Sequence, residues 1–194
     1  FNGTVIHVGS GDSNVYNYSL STKWDLSTNT YVDKYQVSEV LQPRGIFIKP
    51  DGTKMWIAGY TNVKIFQYSL STAFDVSTAS YNNVSLDVTG QTSDMFGLYF
   101  KPDDGSKLYI IDNANNELEQ YSLSTGWDLS TASYQKSFPL EDSYPFGVYF
   151  RPDGTQFFTA QHGSVAVQTY DLSTAWDIGS ATKGADGNLS GQMS

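Results

Sequence analysis

The sequence predicts an all-β fold: a β-propeller of about four antiparallel blades, each with four strands and about 50 residues. The prediction rests on three short sequence markers that recur along the chain. The markers are a Tyr-Ser-Leu-Ser phrase, an aromatic residue followed by Asp, and a Pro-Asp-Gly turn. They keep one order along the chain, and the first recurs at spacings of 50, 53 and 49 residues. Because one small sheet cannot bury its apolar faces alone, similar units must stack on their neighbours.

The first two markers lie close together in every copy. The first marker begins at Tyr18, Tyr68, Tyr121 and Tyr170. In the last copy, Asp replaces the first Ser. The aromatic-Asp pairs are Trp24-Asp25, Phe74-Asp75, Trp127-Asp128 and Trp176-Asp177. Asp next to Ser and Thr accepts backbone N–H bonds in turns, so we interpret each Asp as a loop brace and each aromatic ring as packing against a neighbouring blade. A calcium ligand per blade, or a sugar-stacking platform, is the alternative interpretation.

The Pro-Asp-Gly marker separates two apolar segments. Pro presets φ, Asp bonds back to the backbone and Gly accepts positive φ, which is the chemistry of a tight hairpin. The first strands are predicted at residues 45–49, 97–101 and 147–151, and the second at 55–58, 108–111 and 157–160. Their nearly continuous apolar runs predict strands covered on both faces. Segments such as 63–70 and 84–88 mix or alternate apolar and polar residues, which predicts two outer strands with one wet face.

The domain expectation is a single propeller repeat region over residues 1–194. The blades are expected at about 1–44 (partial), 45–96, 97–146 and 147–194 (partial). Only three strands, at 4–8, 15–20 and 31–37, precede residue 45, and residues 183–194 are a poor strand. We therefore expect part of a ring of about six to eight blades, with closure by two chains or by four blades as alternatives. A β-sandwich would not need the same unit four times, and β-solenoid coils are usually shorter.

Composition excludes several partners. The net charge of −9 argues against a phosphate-backbone ligand, since nucleic-acid binding depends on clustered Lys and Arg. There is no Cys, which excludes a disulfide framework and a thiolate metal site. The sequence has no apolar run of about 18 residues, so we expect no membrane insertion.

One stretch carries a family resemblance. Residues 121–134 read Tyr-Ser-Leu-Ser-Thr-Gly-Trp-Asp-Leu-Ser-Thr-Ala-Ser-Tyr, which resembles the repeat of large propeller-like proteins of marine bacteria and their tailed phages. The Pro-Asp-Asp-Gly turn within residues 100–110 resembles, more distantly, the repeats of surface-layer and lactonase-like propellers. The first resemblance implies a virion structural or fibre component, and it brings no catalytic motif.

Loops that vary between the copies mark a candidate binding face. In a propeller, the loops from strand four to the next strand one, and from strand two to strand three, lie on one face. Here those loops differ while the others are nearly identical, which favours a scaffold that displays a binding surface; drift in unused loops is the alternative. The ligand-binding candidates are Arg44, Tyr60, Asn62, Phe96, Asn113, Asn115, Asn116, Tyr144, Phe146 and His162.

These observations predict a non-catalytic recognition or display module. Exposed aromatic and amide side chains suit stacking on sugars and hydrogen bonding to them, so we expect a glycan or a cell-surface protein as ligand. We expect an extracellular or virion-surface location, as in a tail fibre or adhesin, with other surface subunits or a second copy of the chain as partners. A metal-dependent hydrolase or lactonase-like enzyme, or a purely architectural subunit, is the alternative.

No catalytic residue and no cofactor are expected. His7 and His162 alone are too few for a zinc site unless carboxylates join them, and no Gly-x-Ser-x-Gly elbow is present. Glu117 and Glu119 are predicted to face solvent, and Glu141-Asp142 are adjacent, so no carboxylate pair fits a glycosidase. Calcium in the acidic loops 9–14 and 112–117 is the alternative left open.

Overall fold

The computed structural model of the protein describes residues 3–141, 144–162 and 166–188, and this part of the chain forms four antiparallel sheets. The sheets are the blades of a β-propeller, so the predicted fold class is confirmed. The strands are β1 Val5–Ser10, β2 Asn14–Leu20, β3 Asn29–Gln36, β4 Pro43–Ile48, β5 Lys54–Gly59, β6 Lys64–Leu70, β7 Ala79–Asp87, β8 Met95–Phe100, β9 Lys107–Asp112, β10 Glu117–Leu123, β11 Ala132–Pro139, β12 Pro145–Phe150, β13 Gln156–Gln161, β14 Ala166–Leu172, β15 Ala181–Lys183 and β16 Gly187–Asn188.

The blades follow chain order. Blade 1 is β1–β3, blade 2 is β4–β7 and blade 3 is β8–β11. Blade 4 is β12–β15, with the short β16 also paired to β14. The chain divides into two compact units, unit 1 over Phe1–Asp87 and unit 2 over Val88–Ser194. Unit 1 therefore holds blades 1 and 2, and unit 2 holds blades 3 and 4.

The Pro-Asp-Gly turn and the aromatic-Asp loop of one blade are a single packed feature. In blade 4, Gly154 has a φ of 72° and its carbonyl accepts a hydrogen bond of 2.9 Å from the Trp176 N–H. The indole covers this glycine so closely that a Cβ there would lie 2.2 Å from Trp176 Nε1. The same glycine–aromatic pairs in the other blades are Gly3–Trp24, Gly52–Phe74 and Gly105–Trp127. Contact between the two markers explains why they recur at one period.

Each Asp of the aromatic-Asp pairs caps a short 3₁₀ turn. In blade 1, the Asp25 carboxylate accepts hydrogen bonds from the N–H of Ser27, at 3.0 Å, and from its hydroxyl, at 2.7 Å. Asp75, Asp128 and Asp177 accept the N–H two residues further on in the same way. The 3₁₀ turns are Leu26–Thr28, Val76–Thr78, Leu129–Thr131 and Ile178–Ser180. The structural interpretation of the repeated Asp is thus confirmed.

The third strand of a blade is more buried than its sequence pattern predicts. β6 and β10 are buried along most of their length, like the second strands β5 and β9. The prediction of two half-exposed outer strands is therefore wrong for the third strand, because this strand lies in the middle of its sheet. The fourth strands β7 and β11 do keep a largely exposed pattern.

In unit 2, the aromatic-Asp loop of blade 4 is seated on blade 3. The Tyr109 hydroxyl donates to the Trp176 carbonyl at 2.6 Å, and the Ile178 N–H donates to Gln120 Oε1 at 3.0 Å. Trp176 also stacks on Phe150, with the ring centroids 5.3 Å apart. The backbone of this loop therefore bonds to blade 3, while the indole stacks within blade 4 and joins a buried apolar cluster that includes Tyr109 of blade 3. The predicted packing of the repeated aromatic residue against a neighbouring blade is supported for Trp176, whereas Trp24 is 72 % exposed.

His7 makes the corresponding link in unit 1. Its Nε2 lies 3.0 Å from the Phe74 carbonyl oxygen of blade 2, so this nitrogen carries the donated proton. Burial lowers the pKa of His7, partly offset by the bond to Phe74 and by Asp33. The neutral imidazole therefore joins two blades.

No helix within the described ranges has the length and apolar character needed to span a membrane.

Candidate functional site

Four loops of unit 2 are joined along one edge of blades 3 and 4, which we call the unit 2 rim: residues 88–94, 113–116, 140–141 with 144, and 162. The Asn113 N–H donates to the Asp94 carbonyl at 2.8 Å, which joins the first two loops. Asn116 Oδ1 accepts the Tyr144 N–H at 3.1 Å, and the His162 N–H donates to the Tyr144 carbonyl at 3.1 Å. Backbone hydrogen bonds therefore fix the position of the loops that vary most in sequence.

Aromatic side chains follow one another from the start of strands β8 and β12 to the unit 2 rim. Phe96 meets Phe146 edge to face with centroids 4.7 Å apart, and Phe146 meets His162 at 5.9 Å. Tyr144 lies 6.3 Å from His162, again edge to face. Tyr144 is 57 % exposed and Phe146 is 41 % exposed, while His162 is exposed and Phe96 is partly buried. The rim thus presents aromatic edges and faces to solvent.

The asparagines of the unit 2 rim are engaged inside the loops. Asn113 Nδ2 donates to Asp94 Oδ2 at 2.8 Å, and Asn115 Nδ2 donates to Asp112 Oδ2 at 2.8 Å. Asn116 has a φ of 56°, and its amide oxygen holds Tyr144. These amides position the rim, and Asn115 alone of the three is exposed.

The remaining sequence-predicted candidates lie on the equivalent edge of unit 1. The Arg44 guanidinium lies over the Tyr60 ring, 3.6 Å from its centroid, and Tyr60 is 37 % exposed. Asn62 Nδ2 donates to the Glu39 carbonyl at 2.9 Å, and its Oδ1 is buried with no hydrogen-bond partner. Arg44 and Tyr60 therefore form a cation–π pair at the surface, whereas Asn62 mainly braces a loop.

Two buried carboxylates beneath the unit 2 rim were not predicted from the sequence. Glu119 is 1 % exposed and Asp112 is fully buried, so the prediction that Glu119 faces solvent is wrong. The error arises because Glu119 lies on β10, the buried third strand, at the position that Phe66 occupies in blade 2. Asp112 accepts the Thr92 hydroxyl at 2.6 Å, and Glu119 accepts the Tyr121 hydroxyl at 3.0 Å.

Burial raises the pKa of Glu119 to about 7, while the hydrogen bond from Tyr121 opposes the shift and Asp112 and Glu117 add to it. This carboxyl group is partly protonated at neutral pH, which is the range in which a general base or acid operates. In the present structure it is enclosed, so it acts on solvent or ligand only if the rim loops move.

The raised pKa of Glu119 predicts a pH-dependent stability. Folded Glu119 binds its proton more tightly than the unfolded chain, whose value is near 4.5, so stability falls as pH rises from 4.5 to 7. We expect the free energy of unfolding to drop by about 2–3 kcal/mol across this window. Urea unfolding at several pH values measures it.

The variant Glu119→Gln is the control for this prediction. It keeps the shape and removes the charge, so its stability should change less over the same window. The lowered pKa of His7 acts with the opposite sign and is common to both proteins. If the free energy of unfolding depended on pH equally in both proteins, the raised pKa of Glu119 would be contradicted.

The acidic loops considered for calcium use their oxygens internally. Asp12 accepts the Tyr16 hydroxyl at 2.5 Å and the Asn14 N–H at 3.2 Å. Asp112 is occupied by Thr92 and Asn115. Within residues 3–141, 144–162 and 166–188, no group of three or more His, Asp or Glu could hold a metal ion. Asp142, considered with Glu141, lies outside the described residues.

The stacked, repeated blades define the chain as a protein of the β-propeller class. Among solved structures it is similar to a candidate 6-phosphogluconolactonase from Bacteroides uniformis, with 11 % identity and a TM-score of 0.64 over 96 % of this chain and 55 % of that one. A second candidate 6-phosphogluconolactonase, from Bacteroides fragilis, has 12 % identity and a TM-score of 0.66 over 96 % and 52 %. A protein of unknown function from Desulfotomaculum acetoxidans has 14 % identity and a TM-score of 0.59 over 97 % and 55 %.

The chain therefore spans about half the length of the solved propellers that it matches. Identities this low support the fold alone. No protein-family model and no curated protein matches the chain.

Proposed function

We propose that the protein is a recognition module that binds a carbohydrate, or a carbohydrate-bearing cell-surface protein, through the unit 2 rim. The observation that carries the proposal is the exposed pair Tyr144 and His162 on loops fixed by backbone hydrogen bonds. Flat, partly apolar aromatic faces with a polar end suit sugar rings, which present both C–H and O–H groups. An extracellular or virion-surface location belongs to this proposal.

Preorganisation supports this use of the rim. The hydrogen bond from the Tyr144 N–H to Asn116 and the bond from the His162 N–H to Tyr144 hold both aromatic residues in place before a ligand arrives. A site held in this way loses less conformational entropy on binding than a mobile loop. Rigid aromatic anchors are also the side chains that most often dominate binding energy.

A glycan array followed by calorimetry on the best ligand tests the proposal. We expect Tyr144→Ala and His162→Ala each to weaken binding at least about fivefold, because truncating an anchoring aromatic residue costs more than about 1 kcal/mol. The matched control is Tyr134→Ala, which removes a tyrosine that is 41 % exposed on β11.

Three results would reject the carbohydrate site: no glycan bound on the array, equal loss for the Tyr134→Ala control, or binding unaffected by Tyr144→Ala and His162→Ala. Thermal denaturation of each variant distinguishes a lost contact from a lost fold, since these exposed side chains contribute little to stability.

A second candidate function is hydrolysis of a sugar lactone. Two solved propellers of similar fold are named as candidate 6-phosphogluconolactonases, and Glu119 has a pKa of about 7 beneath the unit 2 rim. In that case Glu119 would act as the general base toward water, with the rim holding the sugar.

Adding 6-phosphogluconolactone to the ligands tested separates the hydrolase from the recognition module. Ring opening above the spontaneous rate, lost in Glu119→Gln, would favour the hydrolase. Binding without turnover would favour the recognition module.

A further inference from the structure

Three polar residues of blade 1, which we call the unit 1 row, lie side by side across its strands and face blade 2. His7 of β1 pairs with Asn17 of β2, and Asn17 pairs with Asp33 of β3. Residues paired in this way project their side chains from the same face of a sheet. His7 shows which face this is, because its Nε2 bonds to the Phe74 carbonyl of blade 2. The unit 1 row is therefore part of the packing between the two blades of unit 1.

Two oxygens of the unit 1 row are buried without a partner. Asn17 is 7 % exposed, and its Oδ1 and the Oδ1 of Asp33 lack a hydrogen-bond partner among the described residues. An amide oxygen and a carboxylate oxygen only accept hydrogen bonds, so they cannot satisfy each other. Because an unpaired buried oxygen is costly, above all on a charged group, the two oxygens require a donor or a positive charge.

Unit 2 has the same row with different residues. Tyr109, Gln120 and Lys136 are paired in the same way on β9, β10 and β11, and all three bond to the aromatic-Asp loop of blade 4. Gln120 Oε1 accepts the Ile178 N–H at 3.0 Å. The Lys136 ammonium donates to Asp177 Oδ1 at 2.8 Å. In unit 2, an amide oxygen and an ion pair therefore join the loop of one blade to the strands of the other.

The second position of the unit 1 row is too short for the equivalent bond. Asn17 stands in the place of Gln120 and has one methylene group fewer. Its Oδ1 does not bond to the N–H of Val76, which begins the 3₁₀ turn of blade 2 as Ile178 begins that of blade 4. The amide oxygen of Asn17 is thus left facing the loop.

The third position of the unit 1 row reverses the charge. Asp33 stands in the place of Lys136, while the residue that caps the 3₁₀ turn is again an aspartate, Asp75. β3, which carries Asp33, contacts this turn. Two carboxylates therefore belong to a junction that holds an ion pair in unit 2.

We propose that Asn17 and Asp33, together with Asp75, bind a calcium ion at the position that the Lys136 ammonium occupies in unit 2. Carboxylate and amide oxygens are ligands that a hard cation prefers, and two carboxylates balance a doubly charged ion. With only two carboxylates at the site, water completes the coordination, which the flexible geometry of Ca²⁺ allows and the strict octahedron of Mg²⁺ disfavours. The ion joins blades 1 and 2, as the ion pair of Lys136 joins blades 3 and 4.

Calorimetric titration of the intact, EDTA-treated chain with CaCl₂ tests the proposal. We expect saturable binding of one ion with a dissociation constant of about 0.1–1 mM, the range of extracellular calcium modules, and a higher unfolding temperature. The NMR signals of the Asn17 side-chain amide should shift on the same titration. Asp33→Asn should weaken binding at least tenfold, because it removes a charged ligand. Asp87→Asn, which removes an exposed carboxylate of the same unit, is the control and should bind as before.

Asp33→Lys tests the comparison with unit 2. The ammonium group that it introduces should replace the ion, so this variant should be more stable in EDTA than the unchanged protein and should not respond to CaCl₂. The proposal is overturned if CaCl₂ gives no saturable binding, if Asp33→Asn binds as tightly as the unchanged protein, or if Asp33→Lys keeps the calcium response. These outcomes leave the carbohydrate proposal intact, because that site lies in unit 2 and is measured with a different ligand.

Discussion

Replacing Gly154 by alanine is expected to lower the free energy of unfolding of unit 2 by about 3 kcal/mol. Two effects add: an L side chain at a φ of 72° costs about 1–2 kcal/mol, and overpacking costs about 1–3 kcal/mol. The new Cβ would lie 2.2 Å from the Trp176 indole, which must shift from its place against Phe150. Urea unfolding followed by tryptophan fluorescence measures the loss.

Gly90→Ala is the matched control for this substitution. Gly90 is exposed, lacks positive φ and has nothing within 4 Å of an added Cβ. The Gly90→Ala substitution should therefore change the free energy of unfolding by less than about 0.5 kcal/mol. Similar stabilities for Gly154→Ala and Gly90→Ala would show that the glycine–indole contact does not hold the blade.

Replacing Trp176 by alanine is expected to cost about 3–5 kcal/mol, the range for deleting a large buried aromatic side chain. Trp176 is 8 % exposed, stacks on Phe150, and its backbone carbonyl accepts the Tyr109 hydroxyl. Deleting the indole leaves a cavity where blade 4 is seated on blade 3. Chemical denaturation should show the unit 2 transition moving to much lower urea.

Trp24→Ala provides a control from the same repeat position. Trp24 has nearly the same φ as Trp176, 63° against 65°, and likewise covers a glycine, but it is 72 % exposed. Its loss should cost at most about 1 kcal/mol. If both variants lost equal stability, the local turn rather than the packing between blades would be the stabilising feature.

Local chemistry made much of the fold predictable. The Asp residues that cap the 3₁₀ turns and the glycines of the Pro-Asp-Gly turns act within a few residues of their own position, so residue type and spacing reveal them. The bounds of the leading strands were less predictable. β4 begins at Pro43 and not at residue 45, because a bulge lies between Pro43 and Gly45.

Much of the candidate site depended on contacts that sequence cannot show. Its position on variable loops followed from the repeat, and Tyr144 and His162 are exposed on the unit 2 rim. Asn113 and Asn116, however, look like free surface amides in sequence and prove to be loop braces. A side-chain amide is satisfied by whichever group folding brings near it, and that group lies in another loop.

The sequence by itself determined the repeating blade, its hairpins and its capped turns, since these depend on neighbours along the chain. Only the tertiary structure decided which copy of a repeated residue is buried. Trp24 and Trp176 occupy the same place in the repeat, yet only Trp176 has another blade of its unit beneath it. Glu119 is buried for the same reason, because burial is set by the surfaces that meet and not by the local sequence pattern.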